Sequence, residues 1–376
     1  MQARASNALS TAEMRLGVEA SIVDGRLLRG DVEIVDGRVA GYGLGSSNGQ
    51  GIATAGFVDL QVNGFSGVDF LEADTDGYRR AGEALLETGV TAYLPTFITA
   101  PEEQLLAALR EVPAGSDGPR ILGVHLEGPF LSALRLGIHP AAARRNPDVD
   151  LLERLLDAGP VRLVTLAPEL PRADLLIEAL LRREIVVSCG HSDASADDAN
   201  AAFDLGVRTV THVFNAMRPF HHRDPGVAGA ALARDDVVVQ LILDGVHVAP
   251  VTAAMVWRAA EGRVALVTDA MAGAGLADGA YRLGGLDVEI RNGVARGSGG
   301  ALAGSTLTMI EAIRNLHDLG VPLEDAIGAA TDVPARVLRL PTVGRLAVGM
   351  PADIVVLNDE LEIDRVLVEG RARVVG

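Results

Sequence analysis

Three residues of types that bind divalent metals follow or end short apolar segments at separate places in the chain. They are Glu127, His191 and His212. One carboxylate and two imidazoles leave a coordination position open for water, which is the arrangement of catalytic zinc sites. Iron, cobalt and manganese accept the same ligands. The sequence therefore predicts one divalent metal ion per chain, with zinc as the first choice.

Asp269 is the candidate general base. It follows the apolar segment 264–268 directly, and a carboxylate beside metal-activated water can take the proton of that water. A helix N-cap is the simpler alternative, because a stretch of small residues follows. His125, two residues before Glu127, is either a participant or a structural histidine, and the sequence leaves both interpretations open.

Candidate phosphate-binding groups are less distinctive. Arg223 lies in the loop 218–225, and arginine can hold a phosphate with two parallel hydrogen bonds. Taken alone, an ordinary surface arginine is the simpler interpretation. His139, between Gly137 and Pro140, reads on spacing alone as an exposed loop histidine.

The elements that must position these residues are short strands alternating with helical segments. Val-, Ile- and Leu-rich segments of this kind are typical of strands buried on both faces. We predict eight of them: 56–62, 91–96, 121–126, 162–167, 185–189, 209–213, 237–243 and 264–268. This alternation favours a (β/α)8 TIM-like barrel of the α/β class over a doubly wound sheet. The candidate residues would then share the carboxyl-end rim of the barrel, where such enzymes carry their chemistry.

Both chain ends have strand patterns of a different kind. Asp24-Gly25 and Asp36-Gly37 separate apolar segments and predict tight hairpins, as does Asn292-Gly293 after the eighth strand. Segments near 352–357 and 366–370 also read as strands, so we expect the two ends to pair into one small β-sandwich domain. The predicted division is a polar tail at 1–15, a β-domain at 16–54 plus 344–376, and a hydrolase barrel at 55–343.

Composition excludes several classes of function. The net charge of −17 argues against binding to nucleic acid or anionic membranes, and no apolar run reaches membrane-spanning length. All 33 basic residues are arginine, so a Schiff-base lysine or a carbamylated-lysine metal bridge is impossible. The single cysteine, Cys189, excludes an intrachain disulfide and fits a reducing cytoplasm, which is the predicted location.

Motifs along the chain resemble those of the N-acetylglucosamine-6-phosphate deacetylases, a family of the amidohydrolase superfamily. The resemblance covers the chain from about residue 16 to its end. The segments that carry it are 55–59, 94–96, 125–130, 190–192, 211–217, 244–247, 268–270, 302–305 and 344–356.

The resemblance implies specific roles. Glu127, His191 and His212 would bind the metal, and Asp269 would act as the acid/base while water attacks the acetamide of N-acetylglucosamine 6-phosphate. Glucosamine 6-phosphate and acetate would be the products. It also implies a homodimer in which Arg223 and His247 hold the phosphate, partly across the subunit interface. The implied substrate contacts are His139, Asn215, Ala216, Arg223, His247 and Ala303.

One departure from the wider superfamily bears on the number of metals. Many members carry His-x-His after the first strand, where this chain has Gln61 and Asn63. Amides are poor ligands beside imidazole, so a single tightly held metal is expected. A deacetylase for N-acetylgalactosamine 6-phosphate stays open, as does a non-catalytic binding protein of the same fold. A two-metal cyclic amidase is disfavoured.

Overall fold

The computed structural model describes residues 13–45, 48–115 and 118–375. The strands before the barrel are β1 (Glu13–Arg15), β2 (Ala20–Val23), β3 (Arg26–Arg29), β4 (Asp31–Val35), β5 (Arg38–Leu44) and β6 (Ile52–Ala55). The next are β7 (Phe57–Val62), β8 (Gly64–Phe65), β9 (Val68–Asp69), β10 (Val90–Ile98), β11 (Arg120–Ile121), β12 (Val124–Glu127), β13 (Val161–Leu166), β14 (Val186–Cys189), β15 (Thr209–Val210), β16 (Val238–Leu241) and β17 (Val264–Leu266). The last are β18 (Gly279–Leu283), β19 (Leu286–Arg291), β20 (Val294–Gly297), β21 (Ile354–Leu357), β22 (Ile363–Val368) and β23 (Arg371–Val375).

The helices alternate with the barrel strands and continue after them. They are α1 (Thr75–Glu87), α2 (Glu102–Glu111), α3 (Val149–Ala158), α4 (Ala173–Arg182), α5 (Ala196–Leu205), α6 (Gly226–Leu232), α7 (Pro250–Ala259), α8 (Met309–Asp318), α9 (Leu323–Ala329) and α10 (Asp332–Val337). Local sequence explains where two of these helices begin. Ser195 and Thr308 each form a capping box with the acidic residue three positions on, which satisfies backbone donors at the starts of α5 and α8.

The barrel strands pair in parallel and in the order β7-β10-β12-β13-β14-β15-β16-β17. The sheet closes on itself, because Val62 bridges Ala270 in parallel and the Asp269 N–H donates to the Gln61 carbonyl at 2.9 Å. Closure confirms the predicted (β/α)8 barrel and rules out the doubly wound alternative, whose sheet has free edges. The predicted third strand is interrupted at Gly123, where φ is +124°, so that β11 and β12 pair with β10 as separate segments.

Asp59 joins the first and last strands of the barrel beneath its mouth. Its carboxylate accepts hydrogen bonds from the Thr268 hydroxyl at 2.6 Å and from the backbone N–H groups of Gln61 and Thr268. Burial raises the pKa of Asp59 to about 7, although these hydrogen bonds oppose the rise. A fully buried carboxyl therefore lies at the point where the barrel closes.

The chain ends pair as expected. β21 lies antiparallel to β6 in the sheet β23-β22-β21-β6-β2-β3, and β1, β4 and β5 form a second sheet. A small separate core fills the space between them, with Val32 and Ile34 from one sheet and Ile354 and Val356 from the other. This arrangement confirms the predicted β-sandwich.

The three predicted hairpin turns are present, each with both turn residues at positive φ, as a tight two-residue turn requires. Of the predicted polar tail, residues 13–15 form β1, paired with β4, and residues 1–12 lie outside the described part of the chain. Among the described residues, no helix is both long and apolar enough to span a membrane.

Candidate metal centre and active site

The three predicted metal ligands meet at the carboxyl end of the barrel. Oε1 of Glu127 lies 2.8 Å from Nε2 of His212 and 3.1 Å from Nε2 of His191, and the two imidazole nitrogens are 3.1 Å apart. All three residues are buried. Three ligand atoms converging on one point, two of them imidazole nitrogens, form a donor set that fits a divalent metal.

His139 adjoins this cluster from the other side of the carboxylate and is buried, so the interpretation as an exposed loop histidine is wrong. Its Nε2 lies 3.5 Å from Oε2 of Glu127, and Glu127, His139 and His191 offer ligand atoms within 4.8 Å of one another. Because the separations to His212 are shorter, we favour Glu127, His191 and His212 as the ligand set. His139 then faces the site as a hydrogen-bonding group.

The ring orientation of His191 suits a ligand. Its Nδ1 lies 2.9 Å from the Arg135 carbonyl, which can only accept, so Nδ1 carries the proton and Nε2 keeps its lone pair. His191, His212 and Asp269 all adopt positive φ, at 49°, 28° and 50°. Backbone conformations of this kind are costly for residues with side chains and cluster at functional sites.

Asp269 is held by the amide of Asn63. The Asn63 Nδ2 donates to Oδ1 of Asp269 at 2.6 Å, and both residues are buried. Gln61, two residues earlier on the same strand end, donates from Nε2 to Oε1 of Glu127 at 3.0 Å. The amides of Asn63 and Gln61 therefore direct N–H groups at the candidate base and at a predicted metal ligand.

The charges of the site follow from burial and from these contacts. Burial alone would raise the pKa of the Glu127 carboxyl, but the nearby imidazoles of His139, His191 and His212 outweigh it and hold that pKa well below its usual range. Burial raises the pKa of Asp269 to about 6, and the negative charge of Glu127 adds to the rise. Burial lowers the pKa of His191 to about 4, so this imidazole is neutral at pH 7, the form that binds metals.

His125 does not reach the cavity. It is fully buried in the barrel interior, with Nε2 2.7 Å from the Thr165 hydroxyl and Nδ1 3.4 Å from the Thr96 hydroxyl. Thr165 in turn bonds to Thr211 at 2.7 Å. Of the two interpretations that the sequence left open, the geometry supports the structural one, with His125 in a polar floor below the metal ligands.

A cavity of about 210 Å³ opens over the cluster. Most of the predicted site residues line it: Glu127, His139, His191, His212, Asn215, Ala216, His247 and Asp269. Ala303 is buried between the lining residues Leu302 and Gly304, and its N–H bonds to the Ala295 carbonyl. Arg223 is exposed and does not line this cavity.

Two lining histidines are fixed through one ring nitrogen each. Nδ1 of His139 accepts from the Thr99 N–H at 3.2 Å, which leaves the proton on Nε2, the atom that faces Glu127. Nδ1 of His247 lies 2.7 Å from the Asp244 carboxylate, whose other oxygen accepts the N–H groups of Val246 and His247. The cavity thus has two positioned imidazoles besides those of the predicted metal ligands.

Sequence reasoning identified Gln61 and Asn63 only as absent ligands and missed their role as donors. Polar residues two apart at a strand end do indicate that both project toward the rim, but their partners lie 66 and 206 positions away. The folded barrel was needed to place them. The same holds for Arg135, whose carbonyl sets the tautomer of His191.

A parallel eight-stranded barrel with a buried Glu-His-His cluster and a carboxylate at its carboxyl-end rim is typical of hydrolases of the amidohydrolase type. The sequence profile of the amidohydrolase family matches residues 52–373. The chain belongs to the amidohydrolase family.

Individual relatives indicate which members of this family the chain is similar to in sequence and structure. The N-acetylglucosamine-6-phosphate deacetylase of Homo sapiens is 40% identical over 85% of this chain and 82% of its own length. The N-acetylgalactosamine-6-phosphate deacetylase of Escherichia coli O157:H7 is 36% identical over 84% of this chain and 86% of its own. A solved structure of an N-acetyl-D-glucosamine-6-phosphate deacetylase variant from Mycobacterium smegmatis, in complex with N-acetyl-D-glucosamine-6-phosphate, superposes with a TM-score of 0.91 and 39% identity, covering 96% of this chain and all of that one. The predicted resemblance to this group of deacetylases is confirmed.

Proposed function

We propose that this protein hydrolyses the acetamide of N-acetyl-D-glucosamine 6-phosphate, giving D-glucosamine 6-phosphate and acetate. The observation that carries the proposal is the shared cavity of Asp269 and the cluster of Glu127, His191 and His212. Sequence similarity supports the substrate class, because the chain is about 40% identical to deacetylases of this sugar phosphate over most of its length.

The metal we propose is one zinc ion per chain, held by Glu127, His191 and His212. This donor set is typical of catalytic zinc. When bound, such an ion lowers the pKa of water and draws electron density from the acetyl carbonyl. Gln61 and Asn63 favour a single ion, because an amide is a poorer metal ligand than an imidazole at these two positions.

Asp269 moves the proton in the proposed reaction. As a carboxylate it takes a proton from water while water attacks the acetyl carbonyl, and it then gives this proton to the departing amine. A pKa raised to about 6 by burial suits a group that must do both near neutral pH. Asn63 holds one carboxylate oxygen, which leaves the other for the proton.

His139 and His247 are proposed to orient the substrate. The Nε2–H of His139 faces the Glu127 side of the cavity, where it can donate to the acetyl oxygen as negative charge develops there. His247, fixed by Asp244, would contact the phosphate. Asn215, Ala216 and Ala303 complete the proposed substrate contacts, the first two from the cavity wall.

Arg223 is proposed to reach the phosphate from a neighbouring subunit of a homodimer. Support comes from its exposure and its place outside the cavity of its own chain. The test mixes Asp269→Asn with Arg223→Gln chains under conditions that let subunits exchange. A shared site restores activity in half the mixed sites, about one quarter of the wild-type level in a statistical mixture. A mixture no more active than its Arg223→Gln component would place Arg223 in its own chain's site.

The substrate proposal is tested by acetate release from four sugars. These are N-acetylglucosamine and N-acetylgalactosamine, each with and without the 6-phosphate. We expect release from N-acetylglucosamine 6-phosphate and little from the free sugars, because the anchored phosphate orients the reacting bond. The 36% identity to a galactosamine-type deacetylase makes the galactosamine epimer the second candidate, and faster release from it would replace the proposed substrate.

The proposed location is the cytoplasm.

A further inference from the structure

Asp193 lies two residues after His191 and makes ion pairs in two directions. On one side its Oδ1 accepts from Nη2 and Nε of Arg135, at 2.6 and 2.7 Å. Arg135 is also the residue whose carbonyl receives the Nδ1 proton of His191. The guanidinium that Asp193 holds therefore belongs to the residue that orients a candidate metal ligand.

On the other side Asp193 holds the loop that carries Arg223. Its Oδ2 lies 3.3 Å from Nη2 of Arg218, and Nη1 of Arg218 lies 3.1 Å from Asp224. Asp224 and His221 exchange backbone hydrogen bonds at 2.9 and 3.1 Å, and Arg223 lies inside the turn that these bonds close. Arg218 thus links this turn to Asp193.

The backbone at Asp193 is itself anchored, so the ion pairs have a fixed base. Its N–H donates to Glu169 at 2.6 Å, and the Ser192 hydroxyl donates to the other oxygen of Glu169 at 2.7 Å. Ser192 also pairs with the loop that follows β15, because the Arg218 N–H donates to its carbonyl at 3.0 Å. Asp193 is only 19% exposed, which limits the screening of its ion pairs by solvent.

We propose that Asp193 is a positioning residue that couples the metal centre to the phosphate-binding loop. Its bond to Arg135 holds the carbonyl that orients His191, and its bond to Arg218 holds the turn that presents Arg223. The second part of this proposal, the link from Asp193 to the turn of Arg223, rests on the proposed function, because Arg223 matters only if the substrate carries a phosphate. The first half concerns metal binding alone.

The experiment separates the two halves with single substitutions. Arg135→Gln should weaken zinc binding about tenfold and leave KM unchanged at saturating zinc. Tenfold is the lower end of the loss in metal affinity that follows when a group supporting a metal ligand is removed. Arg218→Gln should raise KM for N-acetylglucosamine 6-phosphate about tenfold, in line with the loss of a charged hydrogen bond, and leave kcat and zinc affinity unchanged. Asp193→Ala should show both effects.

Arg234→Gln is the matched control. Arg234 pairs with Asp204 at 2.6 Å and with Asp236 at 2.9 Å, at exposure similar to that of Arg218. It lies between α6 and β16, at the amino ends of the barrel strands and so opposite the candidate site. Zinc affinity is measured by competition with a chelator, and thermal unfolding of every variant checks the fold. The control should change neither zinc affinity nor KM.

Other results overturn the proposal. Asp193→Ala indistinguishable from Arg234→Gln would mean that the ion pairs position nothing. Equal loss of zinc in Arg135→Gln and Arg218→Gln would mean a common structural effect rather than two separate arms. If the wild-type protein releases acetate from no phosphorylated sugar, the proposed function fails, and the zinc affinities of Arg135→Gln, Asp193→Ala and the control still decide whether Asp193 positions the metal centre.

Discussion

Asn63→Ala tests whether the amide of Asn63 serves the candidate base. The native bond from Nδ2 of Asn63 to Asp269 is 2.6 Å long, both residues are buried, and the acceptor is charged when it acts as a base. A hydrogen bond to a charged group contributes about 1.5–3 kcal/mol. At about 1.4 kcal/mol for a factor of ten, its loss should lower kcat/KM about 10- to 100-fold.

The pH profile gives the sign of the effect. Removing a donor destabilises the ionised form of Asp269, so its pKa rises further from the value of about 6 that burial already imposes. The base must be ionised to take a proton, so the acidic limb of the kcat/KM profile should move to higher pH, by about one unit if 1.4 kcal/mol is lost.

The assay is acetate release from N-acetylglucosamine 6-phosphate between about pH 5 and 9, a range that includes the acidic limb of the kcat/KM profile. Zinc content is measured in parallel. Zinc should stay bound in Asn63→Ala, because Asn63 contacts the base and not a proposed ligand. Gln61→Ala is the contrast, since it removes a bond to Glu127 and should weaken zinc binding instead. A wild-type rate and profile in Asn63→Ala, or loss of zinc from it, would refute this reasoning.

Three further outcomes are expected. Asp269→Asn should nearly abolish acetate release and keep its zinc, as metal analysis beside the assay would show; loss of zinc would make Asp269 a ligand instead. Arg223→Gln should raise KM for the phosphorylated sugar about tenfold or more with little change for the free sugar, because only the phosphate loses a contact; equal effects on both sugars would argue against a phosphate role. Asp59 has its pKa raised to about 7, so the native state keeps a proton that the unfolded state releases, and stability should fall by ~3 kcal/mol as pH rises from 4 to 7. Asp59→Asn should lose that component in urea unfolding at pH 4 and 7, and an unchanged pH dependence would contradict the assignment.

Local signals in the sequence were sufficient for the elements and for much of the rim. Asp-Gly and Asn-Gly pairs predicted the three hairpins, because few residues tolerate positive φ at two successive positions. Short apolar segments predicted the barrel strands, since parallel strands are buried on both faces. The polar residues at the ends of these strands then predicted that Glu127, His191, His212 and Asp269 lie together on one rim of the barrel.

Contacts between distant segments were beyond the sequence. Two polar side chains at one strand end indicate a site, but which carboxylate each amide meets depends on the stagger of the closed barrel. The ion pairs of Asp193 are of the same kind, since Arg135 lies 58 positions away and Arg218 lies 25. Nor could spacing tell that His125 points into the barrel interior rather than the cavity.

We propose that one metal ion, held by Glu127, His191 and His212, allows this cavity to cleave the acetamide of N-acetylglucosamine 6-phosphate. The most direct test removes metal with a chelator, returns zinc in steps, and follows acetate release. We predict that activity falls with the metal, rises in proportion to added zinc and saturates at one ion per chain. Activity that survives metal removal, or that saturates only at two ions, would contradict the account.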